Sequence, residues 1–276
     1  MRINFLLVAV ILFIISCNKT TNTSETASKI PVTNSVVTHD TIAIPDLQHV
    51  EEAPIQLIAK HNLTDKDVYA DYDGGSQLAD YFLIEIIDKE TFDKNKSMAV
   101  NMLSPDTTGI EKQKGIIKLP CDKGEISFVD NLSGGENHKE YTFIGQIQYL
   151  NVYVLSGIYW EDWNFFFVDK NAGSTVQTFS NRPYLSADGK YIISIDFDTF
   201  EGITYIDLYE VCDNRYVDPL IGMYAKKWIP IHSPDSMFWG NDNFLYIPVI
   251  HNQDYWAADG NYFGLDQYIR LKPIAS

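Results

Sequence analysis

The sequence predicts an all-β body over residues 51–276, set behind a disordered tether. Three observations carry that expectation. Short runs rich in Ile, Val, Tyr and Phe recur between Gly, Asn, Asp and Pro, no long window shows helical spacing, and acid-ended strands repeat at a near-constant interval. β-Branched and aromatic residues fit a pleated, half-buried surface, and turn formers bound them. The chain has 276 residues, 45% hydrophobic and 13% aromatic, enough for a buried core and too apolar for a wholly disordered protein. Its 3 cysteines exclude a disulfide-stapled scaffold.

The first element is an address. Met1-Arg2 gives a positive start, and Phe5 to Ile15 is an unbroken apolar run. Eleven residues are too short to span a ~30 Å hydrocarbon core as a helix, but fit the apolar region of an export signal over 1–16. Ile14-Ile15-Ser16-Cys17 then resembles the lipobox of bacterial lipoproteins: branched apolar residues, a small residue, then cysteine. That resemblance implies cleavage before Cys17 and a diacylglycerol thioether on its sulfur. It also implies a further acyl chain, such as palmitate, on the freed amine. Each buried CH₂ contributes ~0.8 kcal/mol, so several chains anchor durably to a bilayer. The resemblance further implies the periplasmic side of a Gram-negative envelope. Asn18 is not the Asp that often follows the cysteine in proteins retained at the inner membrane, which favours the outer membrane. The leaflet stays open.

Residues 17–50 come next, rich in Thr, Ser and Asn, without an aromatic side chain, and carrying Pro31 and Pro45. Such a segment cannot bury enough apolar surface to offset its ordering entropy, so it reads as a tether, holding the body ~30 Å from the membrane. Asp40-Thr41-Ile42 resembles a short bacterial O-glycosylation acceptor, a pattern brief enough to recur by chance. The net charge of −16, from 21 Lys+Arg against 37 Asp+Glu, belongs wholly to 51–276, since the charges of the signal and the tether cancel. With no cluster of basic residues, the chain is not expected to bind nucleic acid or to dock on anionic lipid through a basic face.

Within the body, strands are expected at 82–87, 125–129, 141–149, 151–155, 164–168, 191–195, 203–211 and 244–249. Four are followed by an acid and a turn, at Asp88, Asp130, Asp169 and Asp213, spaced 42, 39 and 44 residues apart. A repeat of that length is the mark of stacked β units. Pro183 to Lys190, continuing into Tyr191-Ile192-Ile193, resembles the P-x-x-S-x-D-G-K hairpin of TolB-like and WD40-like propeller blades. There Asp-Gly makes the tight turn between two blade strands. Phe238 to Tyr246 reads as a degenerate copy. The Gly-His and Trp-Asp dipeptides of WD40 repeats are missing. The resemblance implies a β-propeller-like body of about five blades, with an irregular antiparallel β-sandwich as the alternative.

Candidate sites are few. In an oxidising periplasm Cys121 and Cys212 are candidates for a disulfide, against two separate buried thiols. The six histidines lack zinc-protease spacing and read as structural. Asp71-Tyr72-Asp73-Gly74-Gly75 and Asp196-Phe197-Asp198 look like calcium loops, but each lacks the third acid and the bidentate Glu, and reads as a polar turn. No nucleophile-elbow, P-loop or S-x-x-K pattern appears, so no catalytic residue, metal or cofactor is assigned. Aromatics are the richer signal, 29 of 37 lying in 141–276. Tyr159, Trp160 and Trp163 sit beside Glu161 and Asp162. Tyr255 and Trp256 follow His251-Asn252-Gln253-Asp254 in a stretch that reads as loop. Exposed rings flanked by acids and amides suit stacking on a sugar face; packing between β units also consumes aromatics. Adjacent Glu161 and Asp162 point to opposite faces of a strand and could not flank one glycosidic bond.

The expected function is a lipid-anchored envelope protein that binds a protein, peptide or glycan partner without catalysis. The alternatives are an envelope hydrolase of glycan or peptide, using carboxylates in a central pocket, and a purely structural component. The anchor is tested directly. Cys17→Ala should abolish incorporation of a palmitate analogue in cells, whereas labelling at the level of the unsubstituted chain would contradict the lipobox assignment.

Overall fold

The computed structural model describes residues 60–71, 77–105, 109–198, 200–213, 215–231, 236–257 and 266–274. All belong to the unit spanning 55–276. Cys17, the tether, Asp40-Thr41-Ile42, the loop 72–75 and His232 lie outside the described residues. Among those described, no helix is long and apolar enough to cross a membrane.

The described chain is mostly antiparallel β. A short helix α1 (Gln77–Tyr81) leads into β1 (Phe82–Ile87), and α2 (Lys89–Lys96) follows at once. Asp88, expected to open a strand turn, instead caps α2: its Oδ1 accepts the Thr91 N–H at 2.7 Å. An acid in that place satisfies an otherwise orphaned donor of the first helical turn, so this copy of the repeat departs from the others. The hairpin of β2 (Ile116–Leu119) and β3 (Ile126–Val129) precedes a meander of β4 (Lys139–Ile147), β5 (Val152–Tyr159), β6 (Asp162–Asp169) and β7 (Thr175–Phe179). A second meander follows: β8 (Pro183–Leu185), β9 (Tyr191–Asp198), β10 (Ile203–Val211) and β11 (Val217–Ala225). The chain ends in β12 (Trp228–Pro230), β13 (Phe238–Trp239), β14 (Leu245–His251), α3 (Asn252–Ala257) and β15 (Gln267–Pro273).

The last strands do not form a sheet by themselves. They recruit β1, giving the order β1-β15-β14-β12, with β13 also on β14. The described residues therefore hold three sheets of four or five strands and one two-stranded hairpin, and none of these sheets closes into a barrel.

The sheets stack face to face, and consecutive residues show it. On β5, Val152 and Val154 enter one core while Tyr153 and Leu155 enter another. On β6, Phe167 sides with the first and Phe166 and Val168 with the second. On β9, Ile192 packs toward the first meander, whereas Ile193 and Ile195 pack toward the five-stranded sheet. Successive side chains on a strand point to opposite faces, so a sheet covered on both sides needs apolar residues at every position. That is why these strands read as unbroken runs such as Phe165-Phe166-Phe167-Val168. Each fully buried Ile, Val, Leu or Phe contributes ~1.5–3 kcal/mol.

The expected Asp-Gly hairpin joins β8 to β9. Gly189 takes φ +74°, and the buried Ser186 Oγ accepts the N–H groups of Lys190 (3.1 Å) and Tyr191 (3.0 Å). The degenerate copy is also a hairpin, β13–β14, and the two tips meet: the Asp188 N–H donates to Asn243 Oδ1 at 3.0 Å. Between α2 and β2, residues 100–104 run as a strap. Val100 N–H donates to Trp239 O (2.7 Å), and Ser104 exchanges backbone bonds with Gln146 (2.9 and 3.0 Å), tying β13 to β4. Gly145 lets it approach, because a Cβ there would stand 2.3 Å from the Ser104 carbonyl oxygen.

Candidate functional site

The β5–β6 connection is a two-residue turn, Trp160-Glu161, with Tyr159 paired to Asp162 and Glu161 at φ +59°. The Asp162 carboxylate accepts the Trp163 N–H at 2.8 Å, so one of the two acids serves the turn itself. Ile158 and Trp163 face each other across the strands, outside the stacked cores. Their exposures are 50% and 51%, and Trp160 in the turn is 52% exposed. Tyr159 behaves differently. Its ring meets Tyr141 edge-on at 6.2 Å, its hydroxyl donates to Asn164 Oδ1 at 3.3 Å, and burial, with Tyr141 beside it, pushes the phenol above its ordinary pKa. Tyr159 is thus a packing residue beneath an apolar tip formed by Ile158, Trp160 and Trp163.

Tyr255 and Trp256 lie on α3, not on the loop expected for that stretch. The helix packs against β12 and β14, and the backbone of Asn252 bonds to Lys227 O. Tyr255 is wedged edge-on against Phe197 (5.1 Å) and Trp256 (5.2 Å). Trp256 leans over the β9–β10 turn, where a Cβ on Gly202 would come within 2.8 Å of its Nε1, and still exposes 50% of its surface. The five aromatic residues are therefore held by two separate supports, β5–β6 and α3.

The structure holds Cys121 and Cys212 as free thiols, not as a disulfide. Cys121 follows β2 and packs on the hairpin core, while Cys212 follows β10 beside Asp218, so the two belong to different layers. Burial pushes both thiols above their ordinary pKa, with neighbouring carboxylates adding to the shift. Asp196 and Asp198 are occupied by turn chemistry. Asp196 accepts from Asn181 Nδ2 (3.1 Å), and Asp198 accepts the N–H groups of Phe200 (2.7 Å) and Glu201 (3.0 Å). Among the described residues no group of three or more His, Cys, Asp or Glu is placed to hold a metal ion.

One polar cluster has no counterpart in the sequence expectations. Asp254 on α3 is fully buried and turns both carboxylate oxygens on His61: Oδ2 accepts its backbone N–H at 2.8 Å, and Oδ1 pairs with its ring Nδ1. The His61 side chain is half exposed, and its ring lies 5.5 Å from that of the buried His251. Gln267 on β15 completes the clasp, donating to His61 O (2.8 Å) and accepting from the Leu63 N–H (2.7 Å). A buried carboxylate that orients an imidazole is the support a general base needs, and it also pins residues 61–63 to the body. His61 and Asp254 are 193 residues apart, and no local pattern announces the pair.

The chain matches no family model, no curated protein and no solved structure.

His251 sets a pH dependence. Burial holds its imidazole below the ordinary pKa, against the opposing pull of Asp67 and Asp254. Its Nδ1 accepts the Gln253 N–H at 3.1 Å, a bond lost when that nitrogen is protonated. A depressed folded pKa means that the unfolded chain binds the proton first. The associated stability is present above ~6.5 and is lost as pH falls through the lower folded value. Melting temperature should therefore fall from pH 7 to pH 5. His251→Asn, which keeps an acceptor, should show a shallower fall, and parallel curves for the two proteins would contradict the assignment.

Proposed function

We propose that this chain is a lipid-anchored cell-envelope protein whose body binds a protein, peptide or glycan partner on a propeller-like scaffold. The observation that carries the binding role is the β5–β6 tip, where Ile158, Trp160 and Trp163 are each about half exposed at one turn. Large aromatic side chains lose little entropy when a partner covers them, and truncating such an anchor costs ~2 kcal/mol or more of binding. Glu161 and Glu140 stand at the same end of the sheet and offer acceptors to hydroxyl or amide donors. The propeller-like scaffold is supported by the two consecutive four-stranded meanders stacked face to face, and by the shared sheet of β1 and β15. The anchor rests on the residues up to Cys17, with the outer membrane favoured by Asn18.

A second reading, an envelope hydrolase, draws on the His61–Asp254 pair, a half-exposed imidazole backed by a buried carboxylate. Its general base would then be His61, with Asp254 as the positioning residue.

The two separate on the full-length protein in detergent, screened on a glycan array and by pull-down from envelope extract. Trp160→Ala/Trp163→Ala should weaken capture of the enriched partner at least tenfold, while Asp254→Asn leaves it intact. Capture unaffected by the tryptophan variant, or no enrichment by the unsubstituted protein, would sink the binding role at this tip.

A further inference from the structure

The two meanders are aligned end for end. The β4–β5 turn meets the β8–β9 turn, where a Cβ on Gly189 would come within 2.9 Å of the Tyr149 ring. Arg215 of the β10–β11 turn lies over that same ring, 5.9 Å from its centroid. Each hairpin reverses the chain, so the β5–β6 and β9–β10 turns stand together at the opposite end. The core between the meanders favours the first end: Val152 and Val154 on β5, Ile192 on β9 and Tyr209 on β10 all lie in that half of their strands. The Phe179–Tyr209 ring contact, at 5.0 Å, belongs to it.

Beyond that contact the facing sides change character. Alternation along the strands places Ile158 and Trp163 on the side of the first meander that carries Val154 and Phe167, turned toward the second. Tyr205 and Asp207 fall on the opposed side, in line with Tyr209, and the register sets Asp196 and Tyr224 beside Tyr205. Ile158 and Trp163 are half exposed and Tyr224 keeps 41% of its surface exposed, so the two sides are not sealed on one another and a cleft opens between them. The link from β7 to β8 crosses its floor. There Ser180 Oγ donates to Asp207 Oδ2 at 3.0 Å, and Asn181 Nδ2 donates to Asp196 Oδ1 at 3.1 Å. Gly222, opposite Asp207, leaves that carboxylate uncovered, since a Cβ there would stand 3.0 Å from its Oδ1.

The cleft therefore has rings on both walls and polar groups on its floor. Tyr205 and Tyr224 meet edge-on at 4.9 Å, across from Trp163. Among the described residues, no Lys or Arg occupies a facing position on β5, β6, β9 or β10, so nothing on these strands attracts an anion. The acids do not act as bare counter-charges either. Ser180 and Asn181 already donate to them, and burial, with Asp196 nearby, pushes Asp207 above the ordinary carboxylate range. Resting on the binding role of the β5–β6 tip, we propose that this cleft receives a neutral glycan, with sugar faces against Trp163 and the Tyr205–Tyr224 pair and hydroxyls bonded to Asp207 and the floor. Aromatic walls with a few convergent polar groups are what a sugar requires, since its ring is apolar on its faces and polar at its rim.

The full-length protein, in a zwitterionic detergent that carries no sugar, would be titrated with maltohexaose, cellohexaose, xylohexaose and mannohexaose. Hexalysine serves as the basic comparison, and the Trp163 indole N–H resonance is followed by NMR. At least one saccharide should shift that resonance saturably, and hexalysine should not. Tyr205→Ala and Tyr224→Ala should each weaken that saccharide about tenfold. Tyr224 is partly exposed on the edge strand β11, so its variant keeps the test decisive if Tyr205→Ala fails to fold. No saturable shift with any saccharide, a saturable shift with hexalysine, or saccharide affinity unchanged by Tyr224→Ala would overturn the proposal. The tip is judged separately: if capture from envelope extract still depends on Trp160 and Trp163 when these results are negative, the binding role stands and only its glycan assignment fails.

Discussion

The pairing of β1 with β15 is the constraint on which the rest of the body depends. Six residues of each strand are in antiparallel register, from Phe82 opposite Pro273 to Ile87 opposite Tyr268. Ile84 and Leu271, directly opposed, are both buried in the largest core. Glu85 and Arg270 face each other on the other side, with nitrogen–oxygen distances of 2.6 and 2.5 Å, and Arg270 also reaches Asp242 and covers the Phe244 ring. A partly exposed ion pair of this kind contributes only about 0.2–1 kcal/mol, so the apolar face holds the strands and the charges set the register. α2 follows β1 at once, and the strap 100–104 follows α2. The clasp of His61 and Leu63 depends on Gln267, the first residue of β15, and on Asp254 of α3. The clasp is thus tied to the strand pairing through Gln267 and to α3 through Asp254.

The second organising fact is that inner sheets are covered on both faces. Phe179 of β7 meets Tyr209 of β10 edge-on at 5.0 Å across the interface between the meanders, and Phe128 of the β2–β3 hairpin meets Phe166 at 5.5 Å on the other side of the first meander. Aromatics concentrate in 141–276 largely for this reason, since wide gaps between stacked sheets are filled by large rings. Trp228, with no exposed surface and its indole N–H on Val68 O at 3.2 Å, is one such ring. The tryptophans that stay half exposed, Trp160, Trp163 and Trp256, stand apart from these interfaces, and the first two share one turn, which is why the binding proposal rests on them.

Much of this architecture is legible in the sequence, and the gaps have physical causes. Phe82–Ile87 and Ile203–Val211 are strands with the expected bounds, because unbroken β-branched runs between turn residues leave little choice. The Ser186–Gly189 turn is legible because a positive φ demands glycine and a buried hydroxyl must find partners. β11 escapes notice because Pro219 interrupts it, and a proline is tolerated there at a register shift on the edge of its sheet. β12, with three residues, is too short to announce itself. α3 hides in a polar stretch, since its buried Asp254 is explained only by a histidine 193 residues earlier. Of the candidate site, residue types are legible and juxtapositions are not: nothing local brings His61 to Asp254, or divides the packed Tyr159 from the exposed Trp160 and Trp163.

Native-state hydrogen exchange on the full-length protein tests the central constraint most directly. If the two ends of the body are held in one sheet, the amides of β1 that bond to β15 exchange only through a large cooperative opening. Their protection should match that of β9 and β10 in the second meander. Exchange of the β1 amides orders of magnitude faster than those of β9 and β10 would contradict the account, since β1 would then be a detachable edge rather than the strand that closes the body.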